Sequence, residues 1–271
     1  MNYKKQKKRA HHAAVSLALP NNHKRSARLD YLDEYSCKPP PCFLLTISIL
    51  QIVVFIIELT YLNTEGKTVD HEGPVYIQSI FIFNPNKKKE LWRYFTYMFV
   101  HSGYFHIIFN ILIQLILGIP LEMVHRWWRV LFIYISGVLF GSLVVSLVDP
   151  SVYLAGASGG VYSLITAHLA NVITNWNEME YPCIRLTIFL IVAGTDIAVA
   201  IINRHIGSGI HNKVSYGAHL AGAFVGLFLG VVTLRNFRVI SWEIKVWWVC
   251  FMIYVISFTI LIIWNLVNIY S

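Results

Sequence analysis

Long apolar runs, not alternating polar and apolar positions, dominate this sequence. Runs of about 20 residues have the length that a helix needs to cross a bilayer. A helix is favoured because it satisfies its own backbone hydrogen bonds where lipid offers no partner. The sequence therefore predicts an all-α polytopic membrane protein, with seven spans at Phe43–Leu62, His101–Leu121, Val130–Val148, Val152–Ile173, Pro182–Ile202, Val214–Leu234 and Val246–Val267.

The segment before the first run has a different character. Residues 1–42 are basic and end in KPPPC, whose prolines stop a helix from running straight into the membrane. We expect a disordered cytosolic tail there. Residues 43–234 then form a six-span core, and residues 235–271 form a cytosolic connector with a seventh transmembrane helix.

The charge distribution bears on orientation and partners. The net charge is +8, in a chain that is 56% hydrophobic and 13% charged. The side of the membrane that holds the tail carries about twice as many Lys and Arg residues as the other side, which predicts a cytosolic N-terminus. Anionic cytosolic lipid is the expected partner of the tail, and no nucleic-acid partner is expected.

Four polar side chains near the starts of three spans form the candidate site. A polar or ionisable group inside a span is costly unless it is paired or faces a cavity. The second, fourth and sixth spans all begin on the same side of the membrane. His106, Asn110, Ser158 and His219 are therefore expected to share one pocket, on the order of 10 Å below that surface at 1.5 Å rise per residue.

This set of side chains suits acyl transfer. Serine becomes a nucleophile when a base takes its proton, and the neutral imidazole of His219 is such a base for Ser158. Asn110, His106 and the Ser158 amide are candidate donors to the oxyanion. No acidic residue falls convincingly at the same depth, so the sequence predicts a Ser–His dyad. It predicts neither a metal nor a cofactor, because no carboxylate or cysteine joins the histidines there.

Glycines beside these residues predict close helix packing. Gly222, Gly226 and Gly230 recur at four-residue intervals on the His219 helix, the small-residue pattern of tight transmembrane pairs. Gly159 allows the Ser158 helix to approach that surface. Tyr162, one turn after Ser158, is then placed to pack against the imidazole of His219.

Taken together, these motifs resemble the rhomboid family of intramembrane serine proteases. The resemblance covers roughly residues 91–230. Its elements, in chain order, are Trp92-Arg93, the histidine motif of His101, His106 and Asn110, Gly118 to Glu122, the GASG of Gly156–Gly159 followed by Tyr162, and Ala218 to Gly226.

The resemblance implies a role for each matching residue. Ser158 is the nucleophile and His219 its base, His106 and Asn110 stabilise the oxyanion, and His101 is mainly structural. The span after the histidine helix resembles the six-plus-one arrangement of the animal secretory-pathway subfamily. Substrates of that subfamily are single-span membrane proteins, often growth-factor precursors, cut in or beside their membrane segment on the luminal side. The fifth span and the loop of Gly207–Gly209 correspond to the family's lateral gate.

Other interpretations stay open at this point. A single serine between glycines more often packs helices than catalyses. A non-enzymatic rhomboid-fold pseudoprotease is one alternative, although inactive relatives usually lack the serine or the histidine. A channel is less favoured because the polar residues lie on one side. A mitochondrial location competes with the secretory pathway, since eight Lys or Arg residues precede the first acidic residue, Asp30.

Overall fold

The computed structural model describes residues 40–71, 73–206 and 216–270. Most of these residues are helical, with 3-10 turns at Pro85–Lys87 and Tyr97–Phe99 and one isolated β-bridge. The predicted all-α class is confirmed. The α-helices are α1 Phe43–Thr64, α2 Arg93–Thr96, α3 Gly103–His125, α4 Trp127–Val148, α5 Ser158–Thr174, α6 Pro182–Ile206, α7 Tyr216–Thr233 and α8 Ser241–Tyr270.

Five of the described helices are long and apolar enough to cross a membrane, namely α1, α3, α4, α7 and α8. The protein is therefore an integral membrane protein. Helix α5 has 17 residues and extends about 25 Å, less than a hydrocarbon core of about 30 Å. The apolar part described for α6 is Pro182–Val192. That α5 and α6 also cross the membrane, which would make seven spans, stays a prediction.

Two of the sequence-based predictions fall on parts of the chain that the structure does not describe. They are the disordered tail, of which only the last residues are described, and the gate loop of Gly207–Gly209.

A buried hydrogen-bond network joins α1, α3 and α4. The Tyr134 hydroxyl donates to Gln114 Oε1 at 2.6 Å, and Gln51 Nε2 donates to the same hydroxyl at 3.2 Å. Gln114 Nε2 donates to Ser48 Oγ at 2.8 Å. Each amide thus finds partners inside the bundle, which removes the cost of placing it among apolar groups. Gln51 and Gln114 hold three helices together.

Glu122 at the end of α3 caps the start of α1. Its carboxylate oxygens accept the backbone N–H groups of Phe43 at 3.1 Å and Leu44 at 2.8 Å. The first N–H groups of a helix have no partner within it, so a buried helix start needs acceptors of this kind. This contact places the start of α1 and the end of α3 at the same end of the bundle.

Helix α8 packs on α4 and α7 through aromatic rings. The ring of Phe140 in α4 lies 5.7 Å from Phe224 in α7 and 5.7 and 5.5 Å from Tyr254 and Phe258 in α8. The Tyr254 hydroxyl also donates to Ser136 Oγ at 3.3 Å. The last helix is therefore an integral part of the bundle and braces α7, the helix that carries His219.

Candidate active site

Ser158 is the first residue of α5, which corrects the sequence-based prediction that this helix begins at Val152. A helix from Val152 would commit the Ser158 N–H to the carbonyl of Leu154. That carbonyl accepts instead from Phe83 N at 3.1 Å. The amide of Ser158 is among the first N–H groups of α5, which have no partner within the helix, so it remains available as a donor.

The loop before α5 delays the start of the helix because it is anchored elsewhere. Leu154 pairs with Phe83 in an antiparallel bridge, with N–H to O distances of 3.1 Å in both directions. Gly156 N donates to Tyr97 O at 3.1 Å, and Gly156 has φ = +110°, a conformation that L side chains rarely adopt. The loop between α1 and α3 thus fixes the position of Ser158.

Helices α5 and α7 run parallel at the closest spacing in the bundle. A Cβ at residue 222 would lie 2.9 Å from the carbonyl carbon of Gly159, and one at residue 226 would lie 2.7 Å from that of Ser163. One turn further along, a Cβ at residue 230 would lie 2.9 Å from the Cβ of Ala170. The predicted glycine packing is confirmed, and the backbone contact of Gly222 with Gly159 lies directly below His219 and Ser158.

The ring of Tyr162 stacks on His219, as the spacing predicts. The two ring centroids are 4.3 Å apart and the planes differ by 16°. Helical side chains point back toward the N-terminus of their helix, so Tyr162 returns to the level of Ser158, one turn earlier. The imidazole of His219 is therefore positioned over the start of α5, where Ser158 lies half-buried.

The site lies well inside the bundle. Gly159 packs against Gly137, which is halfway along α4, with 3.1 Å from a Cβ on Gly159 to the Gly137 carbonyl oxygen. Gly141 packs against Ala218, the residue before His219. Seven residues separate Gly141 from the end of α4 at Val148, which is about 10 Å.

His106 lies beside the GASG segment in a defined tautomer. Its Nδ1 accepts the Ser102 N–H at 3.3 Å, so the proton of the neutral ring is on Nε2. A Cβ on Gly156 would lie 2.6 Å from that Nε2. The N–H donor of His106 therefore reaches the segment immediately before Ser158, and a side chain at position 156 would occupy its place.

Asn110 follows His106 by one helical turn and is largely buried, with 8% of its surface exposed. Its amide nitrogen donates to the His106 carbonyl at 2.8 Å. An amide group has two N–H donors, so one fixes the side chain and the second remains for another acceptor. His101, in turn, packs edge-on against the His106 ring at 5.2 Å and is bound through Nδ1 to Phe99 O at 3.2 Å.

Two features of the site were missed by sequence reasoning. The buried hydroxyl of Tyr97 donates to Val138 O at 2.7 Å and lies against Gly141 and Gly159. Gly137 and Gly141 are four residues apart on α4, a spacing that carries the same packing signal as the glycines of α7. Nothing in the sequence indicates the role of Tyr97, because its contacts are made across the bundle.

These observations define a class: an all-helical membrane protein with a half-buried serine and histidine below one end of the bundle. Comparison with known proteins agrees with that class. The sequence matches the Rhomboid domain over residues 88–236. It is 40% identical to Rhomboid-related protein 1 of Caenorhabditis elegans over 245 residues, which cover 88% of this chain and 68% of that protein.

Two further relatives extend the comparison. Rhomboid-related protein 3 of Homo sapiens is 36% identical over 240 residues, 87% of this chain and 59% of that protein. A Caenorhabditis elegans protein named Inactive rhomboid-related protein 2 is 41% identical over 205 residues, 76% of this chain and 58% of that protein. The chain thus spans less than two thirds of the length of the last two relatives. It belongs to the rhomboid family.

Proposed function

We propose that this protein is an intramembrane serine endopeptidase with a Ser158–His219 dyad. The observation that carries the proposal is the contact between Gly222 and Gly159, which brings the start of α5 and the His219 turn of α7 together. The stacked ring of Tyr162 holds the imidazole over that point. Side chains with this chemistry are expensive inside a membrane protein unless they serve a function.

The proposed reaction is acyl transfer to serine followed by hydrolysis. His219 takes the proton of the Ser158 hydroxyl as Oγ attacks the carbonyl carbon of the substrate. The carbonyl oxygen becomes an oxyanion, which accepts from His106 Nε2–H, Asn110 and the Ser158 amide. His219 then protonates the leaving amine, and water releases the acyl group by the same steps in reverse order.

The start of α5 adds an electrostatic contribution. Its unpaired N–H groups and the positive end of the helix dipole lie where the oxyanion forms. This contribution depends on the helix beginning at Ser158, since an amide already bonded within a helix is no longer available. A donor of this kind is worth roughly 10²–10³ in rate.

Single-span membrane proteins are the proposed substrates. A peptide bond can reach a serine about 10 Å below the end of α4 only if the substrate helix unwinds locally, because an intact helix shields its backbone. Small or helix-weakening residues near the scissile bond are therefore expected. With a cytosolic N-terminus, cleavage occurs on the luminal or extracellular side and releases ectodomains such as those of growth-factor precursors, in the membranes of the secretory pathway.

A non-enzymatic role in the trafficking or degradation of membrane clients is the second candidate. It is favoured by one observation, the 41% identity to a relative named as inactive. The two candidates differ in what they require of Ser158. A client-binding protein needs no nucleophile, whereas the protease loses all turnover without one.

Co-expression with a single-span reporter tests the proposal. The reporter carries an ectodomain tag and small residues at the outer end of its membrane segment. We expect release of the tag by the wild type and none by Ser158→Ala or His219→Ala, at matched expression. Equal release by all three proteins contradicts protease activity. Retention of the reporter in co-precipitates with every variant, without any release, supports the client-binding role instead.

A further inference from the structure

A cavity of about 460 Å³ lies at the end of the bundle away from Ser158. It opens between the start of α4, the ends of α5 and α7, and the start of α8. A second cavity, of about 300 Å³, adjoins it and shares Ile173, Thr174, Trp242 and Glu243 with it. The dyad and its oxyanion donors do not line either cavity, so the proposed reaction leaves this space unexplained.

Positive charge converges on one part of the larger cavity. Arg129 and Arg235 both line it, and Arg126 lies close enough to act on Arg129 electrostatically. Arg129 donates to the Thr233 carbonyl, while its buried Nε has no hydrogen-bond acceptor among the described residues. No carboxylate in the described ranges forms an ion pair with Arg129. Like charges held this close favour a bound anion.

Negative charge lies on the other side of the same space. Glu243 lines both cavities, and Glu178 lines the smaller one. Glu243 Oε2 accepts from Asn236 Nδ2 and from Ile240 N, each at 2.8 Å, which fixes the carboxylate at the start of α8. Burial raises the pKa of Glu178 and the neighbouring Glu243 carboxylate adds to that effect, while backbone hydrogen bonds and Arg238 offset part of it. A cationic group between the two carboxylates would relieve this repulsion.

The rim of the cavity suits the edge of a lipid bilayer. Its side chains include Val239, Trp242 and Ile244, which are 64, 50 and 52% exposed. Exposed apolar and tryptophan side chains at the end of membrane helices are typical of the headgroup region. The rim therefore offers an apolar path for acyl chains next to a polar interior that carries both signs of charge.

We propose that this cavity binds the headgroup of an aminophospholipid of the phosphoethanolamine type. The phosphate lies between Arg129 and Arg235, and the ammonium group donates to Glu243. Guanidinium groups bind phosphate oxygens through paired charge-assisted hydrogen bonds. A primary ammonium carries three N–H donors for the carboxylates.

The mixed charge of the lining selects this occupant over other phospholipids. A phosphoglycerol headgroup satisfies the arginines but leaves Glu243 and Glu178 beside an uncharged group. A phosphocholine headgroup carries positive charge without any N–H donor and is bulkier. The tail at residues 1–42 is predominantly basic, so the tail and the cavity are expected to prefer different lipids.

Native mass spectrometry of the purified full chain tests the proposal. The protein is titrated with phosphatidylethanolamine, phosphatidylcholine and phosphatidylglycerol of identical acyl chains, and the bound fraction is measured. We expect phosphatidylethanolamine to bind tightest. Arg129→Gln and Arg235→Gln should each weaken binding of all three lipids about tenfold or more, because a charge-assisted contact is lost. Glu243→Gln should remove only the preference for phosphatidylethanolamine over phosphatidylglycerol.

The matched control is Lys245→Gln, which removes a positive charge from the same end of the protein at an exposed residue that does not line the cavity. It should keep the lipid preference. A thermal unfolding midpoint close to that of the wild type identifies folded variants, and Arg235→Gln carries the test if Arg129→Gln unfolds.

Three results would overturn the proposal. Arginine variants that bind all lipids as the wild type does exclude the site. Tighter binding of phosphatidylglycerol than of phosphatidylethanolamine by the wild type excludes the role of Glu243. Displacement of the lipid by inorganic phosphate at equal concentration identifies a free-phosphate site instead.

Discussion

Gly222 of α7 lies against the backbone of Gly159 in α5, so closely that a Cβ at residue 222 would be 2.9 Å from the Gly159 carbonyl carbon. Real Cβ atoms do not approach backbone atoms that closely, so a side chain at this position must push the helices apart. His219 is one turn from Gly222, and Ser158 is next to Gly159. The distance from the imidazole to the serine is therefore set by the absence of a side chain at 222.

Gly222→Ala is expected to reduce reporter cleavage about 10²-fold, the cost of moving reacting groups by about 1 Å. The rate of ectodomain release at matched expression measures it. Gly194→Ala is the matched control, because a Cβ on that glycine of α6 meets no atom within 4 Å. Equal losses in both variants would mean that the effect is one of general helix destabilisation.

Gly156→Ala is expected to lose activity through His106. The new methyl group would lie 2.6 Å from His106 Nε2, and the φ of +110° disfavours any L side chain. Displacing one oxyanion donor costs roughly 10²–10³ in rate. Gly66→Ala separates clash from strain, since Gly66 has φ = +72° but open space around it. Wild-type cleavage by Gly156→Ala would show that His106 does not act beside this residue.

Tyr162 is expected to act through its ring. Tyr162→Phe keeps the stack on His219 and should cleave at close to the wild-type rate, whereas Tyr162→Ala loses about 1 kcal/mol of aromatic contact and frees the imidazole. Initial rates and unfolding midpoints of both variants measure this. If Tyr162→Phe is as impaired as Tyr162→Ala, the hydroxyl and not the stacked ring is responsible.

Asn110 and Gln114, one turn apart on α3, should respond differently to removal of their amides. Asn110→Ala should lower the cleavage rate roughly 10²–10³-fold, because an oxyanion donor is lost, with little change in the unfolding midpoint. Gln114→Ala should lower the midpoint, because Ser48 and Tyr134 lose buried partners, each worth about 1–3 kcal/mol. The folded fraction of Gln114→Ala should cleave the reporter at the wild-type rate. If Asn110→Ala instead lowers the midpoint and Gln114→Ala lowers the cleavage rate, the roles assigned to the two residues are wrong.

Local pattern predicts much of this site, and cross-bundle contacts account for the rest. Apolar runs place the helices, the even-numbered spans share a starting face, and four-residue glycine spacing predicts the pairing of α5 with α7. The start of α5 escapes prediction because residues 152–157 are apolar enough to continue a helix. Their course is fixed by Phe83 and Tyr97, which lie more than 50 residues earlier in the chain.

That displaced helix start is also where the chemistry depends most on long-range structure. Leu154 bonds to Phe83, so the amide of Ser158 stays available for its proposed role as a donor to the oxyanion. Pattern analysis therefore indicates which side chains form the candidate site, while the proposed backbone donor becomes visible only in three dimensions.

The central claim is that His219 activates Ser158. Reaction with a fluorophosphonate tests it directly, since only an activated serine oxygen displaces fluoride from phosphorus. Mass spectrometry of the digested protein should find the adduct on Ser158 in the wild type and in the control Ser163→Ala, a buried serine of the same helix. The adduct should be absent from Ser158→Ala and almost absent from folded His219→Ala. Labelling of Ser158 at the wild-type rate in His219→Ala, or no labelling of the folded wild type, would contradict the claim.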